Sequence, residues 1–251
     1  MSDILFIVLM FVVGMGLSVL GLYLVRRFGP TSMLEAHNEE EGFVYAVVGV
    51  IYAVLLAFLV LIVWEQFNTA NERVEQEAAT VSSLNKDVKC FPEAFKLEFK
   101  QAIGDYCLSM IEDEFPAMAN GKFSPKTDSL YQKVWTIFYA FEPKTEKEKF
   151  WYPEVINKIN QLGSTRRLRI MSVNFGIPSF MWYMIILGAI IIISYGYLFY
   201  TKRFLSQAII ILYLSAIVIL VLVIVYALDH PFSGIIRVSD EPFIGIMHYF
   251  K

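Results

Sequence analysis

Carboxylates flank a charge-free hydrophobic run, Gly42–Trp64, near the start of the sequence. The candidate mouth charges are Glu39, Glu40, Glu41 and Glu65. In a ring of subunits, carboxylates at a pore mouth concentrate cations and repel anions. A solvated helix N-terminus with Asn38 as its cap would carry acidic residues in the same way, because the helix dipole favours them there. Both interpretations stay open.

Small residues and tyrosines recur within the same run at helical spacing. The candidate pore-lining residues are Gly42, Tyr45, Ala46, Gly49, Tyr52, Ala53 and Ala57. Small residues four apart let helices approach closely in lipid, and a tyrosine hydroxyl needs a partner or a wet cavity. This face therefore either packs against a neighbouring helix of the same subunit or lines the axis of an oligomer.

Arginines and an aspartate stand beside two later hydrophobic runs. Arg166, Arg167 and Arg169 precede the third run, and Asp229 ends the fourth. Alternating spans place both groups on one side of the membrane, which predicts a carboxylate–arginine network that fixes the extramembrane segment to the spans. A simple helix stop at 229–234 is the alternative.

Motifs for catalysis, metals or cofactors are not visible. The sequence contains no GxSxG, HExxH or P-loop pattern, so we expect neither enzyme activity nor a cofactor. His37 stands beside acids without a second histidine or cysteine at ligand spacing, so no metal site is predicted. Cys90 and Cys107 form no CxxC motif, and we favour two buried thiols over one disulfide. The net charge of −3, with no basic stripe, argues against nucleic acid as a partner.

Four apolar runs dominate the 251-residue chain: Ile4–Val25, Gly42–Trp64, Ile177–Tyr200 and Leu205–Leu228. Each is long enough to cross a hydrocarbon core of about 30 Å. The first run has no basic residue before it and Arg26-Arg27 after it, which indicates a retained helix rather than a signal peptide. None of the runs contains Asp, Glu, Lys or Arg, which favours passive permeation over ion-coupled transport.

A polar insert separates the second and third runs. Its apolar residues recur at helical spacing in four stripes, of which the first continues the second run from Phe67 to Leu84 and is interrupted by Glu77. We predict an all-α fold with four transmembrane helices and this helical extramembrane insert. The predicted segments are a first helix pair at 1–64, the insert at 65–176, a second helix pair at 177–230 and a tail at 231–251. The many aromatic residues of the insert predict a core and, on the surface left over, subunit contacts.

The basic residues of the short loops predict the orientation. Arg26-Arg27 and Lys202-Arg203 follow the first and third runs, and the positive-inside rule places both loops in the cytoplasm. The insert is then on the non-cytoplasmic side. The arginines at 166, 167 and 169 argue for the opposite orientation.

Three segments together resemble the bacterial bestrophin-like membrane family. They are EAHN at 35–38 followed by GFVYAVVGVIYAVLLAFLVLIVWEQF at 42–67, then RRLR at 166–169, and LDHPFSG at 228–234 with VSDEPF at 238–243. The resemblance covers the chain in order. It departs at His230, where the family usually has arginine, and at Asp240, where proline is frequent.

Membership of that family implies four spans and a helical insert. Bestrophins proper are pentameric anion channels with an apolar neck. In this sequence Phe43 and Phe58 stand too far apart to match a phenylalanine-rich neck, and the acidic residues at both ends of the second run disfavour anions. We therefore predict a homo-oligomeric channel in the lipid bilayer that passes inorganic ions, leans towards cations by charge and has its second span nearest the axis. The alternative is a non-conducting membrane scaffold or sensor whose aromatic insert binds a partner or ligand.

Overall fold

The computed structural model describes residues 2–29, 38–201 and 203–250, without the side chains of residues 2, 3 and 38–41. All regular structure in these ranges is helical. The α-helices are α1 (Ser2–Phe28), α2 (Asn38–Asp87), α3 (Glu93–Ser109), α4 (Phe115–Met118), α5 (Pro125–Tyr139), α6 (Glu146–Ser172), α7 (Ser179–Tyr195), α8 (Phe204–Leu228) and α9 (Glu241–Ile246). The predicted all-α class is confirmed.

Four helices among the described residues are long and apolar enough to cross a membrane. Their apolar segments are Ile4–Phe28, Gly42–Cys90, Ser179–Leu198 and Phe204–Leu228. The four predicted spans are therefore confirmed. The second segment is 49 residues long, about 74 Å at helical rise, which is more than twice the thickness of a hydrocarbon core. Only its first half is free of charge.

The chain divides into two compact units. The first comprises Met1–Glu65 and Gly176–Asp229, and the second comprises Gln66–Phe175 and His230–Lys251. The first contains the charge-free part of each of the four apolar segments, so we call it the membrane unit. We call the second the helical unit; it includes residues 66–90 of the second apolar segment.

Inside the membrane unit, α1 packs on α8. Leu22 is buried against Ala208 and Ile211, and the ring centroids of Phe6 and Tyr226 lie 5.4 Å apart. Most other apolar side chains of these helices are exposed, as expected for surfaces that face lipid or another subunit.

The helical unit has one aromatic-rich core between the later turns of α2 and the helices α3, α5 and α6. Phe95 lies at its centre, with ring centroids 5.5 Å from Phe99 and 4.5 Å from Phe141. Cys107 is buried in this core and Cys90 is half-buried, and both are free thiols.

Residues after the fourth span also belong to the core of the helical unit. Phe232, Val238 and Phe243 are buried there. Phe115 packs between two of them, with ring centroids 6.3 Å from Phe232 and 6.3 Å from Phe243. Residues of the segment 231–251, which the sequence predicts as a tail, thus contribute to this core.

Caps and turns set the ends of the helices in this unit. Gly121 adopts a φ of 70°, a conformation that favours glycine, in the turn before α5. The Ser124 hydroxyl then accepts a hydrogen bond from the Thr127 N–H at the start of α5. Thr145 and Glu148 form a reciprocal capping box at the start of α6. These local rules explain why the chain reverses where it does.

Candidate functional site

One face of α2 packs against α7 within the membrane unit. The Tyr52 hydroxyl donates a hydrogen bond of 2.8 Å to the Ile185 carbonyl, and Tyr45 stacks on Tyr195 with centroids 5.5 Å apart. A side chain added at Gly49 would meet Ile192 at 3.8 Å. These residues follow the first of the two interpretations of the small-residue row, namely contact with a helix of the same subunit.

The alanines of the same row stay uncovered. Ala46, Ala53 and Ala57 are exposed along one stripe of α2. Gly42 is half-exposed and lies at the border between the two faces. A Cβ atom added there would lie 3.7 Å from the Phe199 ring. Of the candidate pore-lining residues, the three alanines are thus the ones available to an axis formed between subunits.

The candidate mouth charges are only partly described. Glu65 is exposed at the last turn of the membrane unit. Residues 39, 40 and 41 belong to the backbone of α2, but their side chains lie outside the described set. His37 lies outside the described residues altogether. Among the described residues, no cluster of three or more His, Cys, Asp or Glu side chains could hold a metal.

A buried charge network occupies the centre of the helical unit. Glu77, Glu114 and Arg169 are all 0% exposed. Arg169 Nε donates to Glu77 Oε2 at 2.6 Å, and its two terminal nitrogens lie 3.4 Å from Glu114 Oε1. The Tyr106 hydroxyl donates to the other oxygen of Glu77. Two buried carboxylates thus share one fully buried guanidinium.

Arg166 extends the network from the buried Glu114 towards the surface. Its Nη1 lies 3.0 Å from Asp128 Oδ1 and its Nη2 lies 3.7 Å from Glu114 Oε1. Arg166 therefore contacts both the buried Glu114 and the partly exposed Asp128, so that two arginines pair with three carboxylates. Buried ions are tolerated when they are paired in this way.

The electrostatics of the network follow from burial and pairing. Burial, followed by the charge of Glu77, raises the pKa of the Tyr106 hydroxyl well above its ordinary value. Burial alone would lower the pKa of Arg169, but the charge and hydrogen bond of Glu77, together with the charges of Tyr106 and Glu114, outweigh burial and raise the pKa. Arg169 is therefore a permanent cation at any physiological pH.

A π-helical turn brings Glu114 to the network. The turn covers Met110–Glu114 between α3 and α4. Pro116 follows two residues later and has no N–H to donate to the carbonyl four residues before it, so the regular α-helical pattern cannot continue across this point. Such wide turns shift the side chains that follow relative to a regular helix.

Two arginines of the predicted network thus pair with carboxylates that were not part of the prediction. Arg166 and Arg169 pair with Glu77, Glu114 and Asp128, whereas Arg167 is exposed on α6. In the sequence, Glu77 interrupts the apolar stripe from Phe67 to Leu84, and this interruption is the available indication of a buried charge. Nothing in the sequence indicated Glu114.

Asp229 organises the third span within the membrane unit. Its Oδ1 accepts a 2.6 Å hydrogen bond from the Ile177 N–H, and its Oδ2 accepts one of 3.1 Å from Trp182 Nε1. The aspartate at the end of α8 therefore holds the segment that leads into α7. A pairing of Asp229 with the arginine cluster stays a prediction.

These features define an all-helical, multi-pass membrane protein with a helical unit built around a buried ion network. The model of the Bestrophin-like domain matches residues 12–243, most of the chain, so the protein belongs to this family. No curated protein matches the sequence.

Solved structures of bacterial bestrophin homologues share the fold. One from Klebsiella pneumoniae, phased with zinc, superimposes with a TM-score of 0.70 at 10% identity and covers 97% of each chain. A mutant form from the same organism gives a TM-score of 0.68 at 11% identity over 100% of this chain and 98% of that one. At such low identity the likeness concerns the fold.

Proposed function

We propose that the protein is a homo-oligomeric ion channel in which ions permeate passively and α2 lies nearest the axis. The exposed stripe of Ala46, Ala53 and Ala57 carries this proposal. It runs along a helix whose neighbouring face is already covered by α7. Small residues on an uncovered face allow α2 helices of several subunits to surround a narrow path without filling it. Membership of the Bestrophin-like family supports the same function.

The lack of Asp, Glu, Lys and Arg in the four apolar runs supports passive transport. Proton relays and ion-coupled carriers normally need at least one such group inside the membrane. A channel needs only an apolar or backbone-lined path with suitable charges at its ends. Passive permeation therefore agrees best with the four charge-free runs at 4–25, 42–64, 177–200 and 205–228.

The carboxylates at the two ends of the charge-free run Gly42–Trp64 support cation preference. Glu65 is exposed, and the acidic triplet at 39–41 stands at the other end of the run. We expect the combined change Glu39→Gln, Glu40→Gln and Glu41→Gln to shift the reversal potential in a salt gradient towards the value for anions. Unchanged reversal potentials would show that these carboxylates do not face the path.

A pair of tryptophan substitutions tests the position of α2. Ala53→Trp introduces a large side chain on the alanine stripe, whereas Ile51→Trp introduces the same side chain about 160° around the helix at another exposed position. We expect Ala53→Trp to abolish ion flux into liposomes and Ile51→Trp to preserve it. Equal flux from both variants would exclude the alanine stripe as the pore lining.

The aromatic residues of the insert support the scaffold alternative only through Phe123, Tyr139 and Phe150, which are exposed. Phe91, Phe95, Phe99 and Phe138 are buried in the core of the same unit and are not available to a partner. An image of purified particles separates the two functions: a symmetric ring with a continuous central path supports the channel, and a monomer or a pathless dimer supports the scaffold.

We further propose that the helical unit lies outside the cytoplasm, since the short loops carry Arg26-Arg27 and Lys202-Arg203. Ser164 is exposed on α6. In a background with Cys90→Ser, Ser164→Cys should react with a membrane-impermeant thiol reagent in intact cells. The matched variant Ser32→Cys, in the first short loop, should react only after permeabilisation, and the reverse pattern would invert the orientation.

A further inference from the structure

The membrane unit contains an open pocket with basic and aromatic walls where α1 ends and α8 begins. Its volume is about 430 Å³, and it is lined by Tyr23, Arg26, Arg27, Tyr200 and Phe204. Two guanidinium groups and three aromatic rings thus share one opening at the boundary of the apolar spans. Aromatic residues are typical of the membrane–water interface.

The guanidinium of Arg26 is held in place by its neighbours. It donates a hydrogen bond to the Thr201 carbonyl and lies 4.6 Å from the centroid of the Tyr200 ring and 5.7 Å from that of Phe204. Of its five N–H donors, one is used by these described residues. A planar cation fixed on aromatic rings keeps its remaining donors oriented for a planar or tetrahedral oxyanion.

Neither arginine is neutralised within the described part of the chain. No ion pair between described residues includes Arg26 or Arg27, and Arg27 is exposed. The pocket therefore presents two positive charges, which suit a phosphate because arginine binds its oxygens with paired N–H donors.

The surface around the pocket is apolar. Leu20 and Leu24 are exposed on α1 in the two turns before the arginines, and Leu205 is exposed at the start of α8. A ligand that matches the whole surface has an anionic head and hydrocarbon chains. Inorganic phosphate would match only the arginines.

We propose that this pocket binds the phosphate of an anionic phospholipid, whose acyl chains lie along the exposed leucines of α1 and α8. Basic pockets between transmembrane helices are a recurrent form of lipid head-group site. The proposal does not depend on ion conduction, so it stands or fails separately from the channel function.

Native mass spectrometry of the full chain, purified in detergent, tests the proposal. Phosphatidylglycerol should remain bound at concentrations at which phosphatidylcholine does not. Each of Arg26→Gln and Arg27→Gln should weaken phosphatidylglycerol binding about fivefold, the effect typical of one basic residue near an anionic surface. Arg167→Gln, which removes an exposed arginine of the helical unit, should leave binding unchanged.

Three outcomes would overturn the proposal. The first is equal retention of phosphatidylglycerol and phosphatidylcholine. The second is an equal loss of binding in Arg27→Gln and Arg167→Gln. The third is complete displacement of phosphatidylglycerol by an equal concentration of inorganic phosphate, since the acyl chains would then contribute nothing. Arg27→Gln keeps the test valid if Arg26→Gln fails to fold, because no described residue pairs with Arg27.

Discussion

Removing the Arg169 guanidinium should open the core of the helical unit. Arg169→Met keeps much of the side-chain volume but leaves Glu77 and Glu114 buried without the cation that they share. Arg166 cannot replace it for both carboxylates, since its Nη2 lies 3.7 Å from Glu114 and its Nη1 is engaged with Asp128.

The size of the effect follows from the burial of the network. Arg169 and its two carboxylate partners, Glu77 and Glu114, are all 0% exposed, so solvent screens none of the interaction. Breaking a buried ion pair by removing one partner costs about 3–5 kcal/mol. At about 1.4 kcal/mol per factor of ten, the opened population should rise between about 140-fold and 3,700-fold.

The Cys107 thiol reports this opening. It is buried in the same core, and burial raises its pKa, so it reacts with thiol reagents only when the core opens. The parent protein for this assay carries Cys90→Ser. Adding Arg169→Met to it should raise the rate of Cys107 labelling by the same factor as the opened population. The exposed neighbour Arg167→Gln is the matched control and should leave the rate within about threefold of the parent.

The coupling of the two partners gives a second criterion. Glu77→Gln removes one of the buried charges, so Arg169→Met should cost less in that background than in the parent chain. If Arg169→Met labels Cys107 no faster than Arg167→Gln does, the network does not hold the core together and the reasoning is refuted.

Two further predictions concern the pH dependence of the helical unit and the packing of the spans. Hydrogen bonds from the backbone N–H groups of Lys144 and Thr145 lower the pKa of the Glu148 carboxyl group. The ionised carboxylate therefore stabilises the fold above the ordinary pKa of 4.5, and this stabilisation is lost as the pH falls through the lower pKa of the folded state. The melting temperature of Glu148→Gln should therefore fall less steeply below about pH 4.5 than that of the parent, and an identical slope would contradict this assignment. In the membrane unit, a Cβ at Gly188 would lie 2.5 Å from Tyr52 Cε2, whereas nothing lies within 4 Å of one at Gly16. Gly188→Ala should lower the melting temperature in detergent, corresponding to about 1–3 kcal/mol of overpacking, and Gly16→Ala should leave it unchanged or raise it; a loss of equal size in both variants would exclude the clash as its cause.

The fold could be predicted from the sequence because a backbone that crosses lipid has no water with which to form hydrogen bonds. A charge-free run such as Gly42–Trp64 has to satisfy its backbone hydrogen bonds internally, and a helix is the simplest structure that does so. The helical pattern of the insert was equally readable, since apolar residues recur with the helical period. The packing of residues 231–250 was not readable, because Phe232, Val238 and Phe243 do not recur with the helical period.

The site was predictable only in part, because its geometry depends on contacts distant in sequence. The arginine cluster was visible as a charge pattern, but the position of Glu114 depends on a π-helical turn before Pro116, which no periodicity reveals. In the same way, the small residues of α2 were visible, but only the contact of Tyr52 with Ile185 shows which face is covered by α7. The division between packing tyrosines and exposed alanines could not be obtained from spacing.

Ion flux through the purified protein in liposomes tests the channel most directly. With K⁺, Na⁺ or Cl⁻ as the permeant ion and a defined membrane voltage, we expect passive flux in which K⁺ and Na⁺ exceed Cl⁻. Absence of flux for all three ions across a range of voltage, calcium concentration and pH would contradict the proposed function.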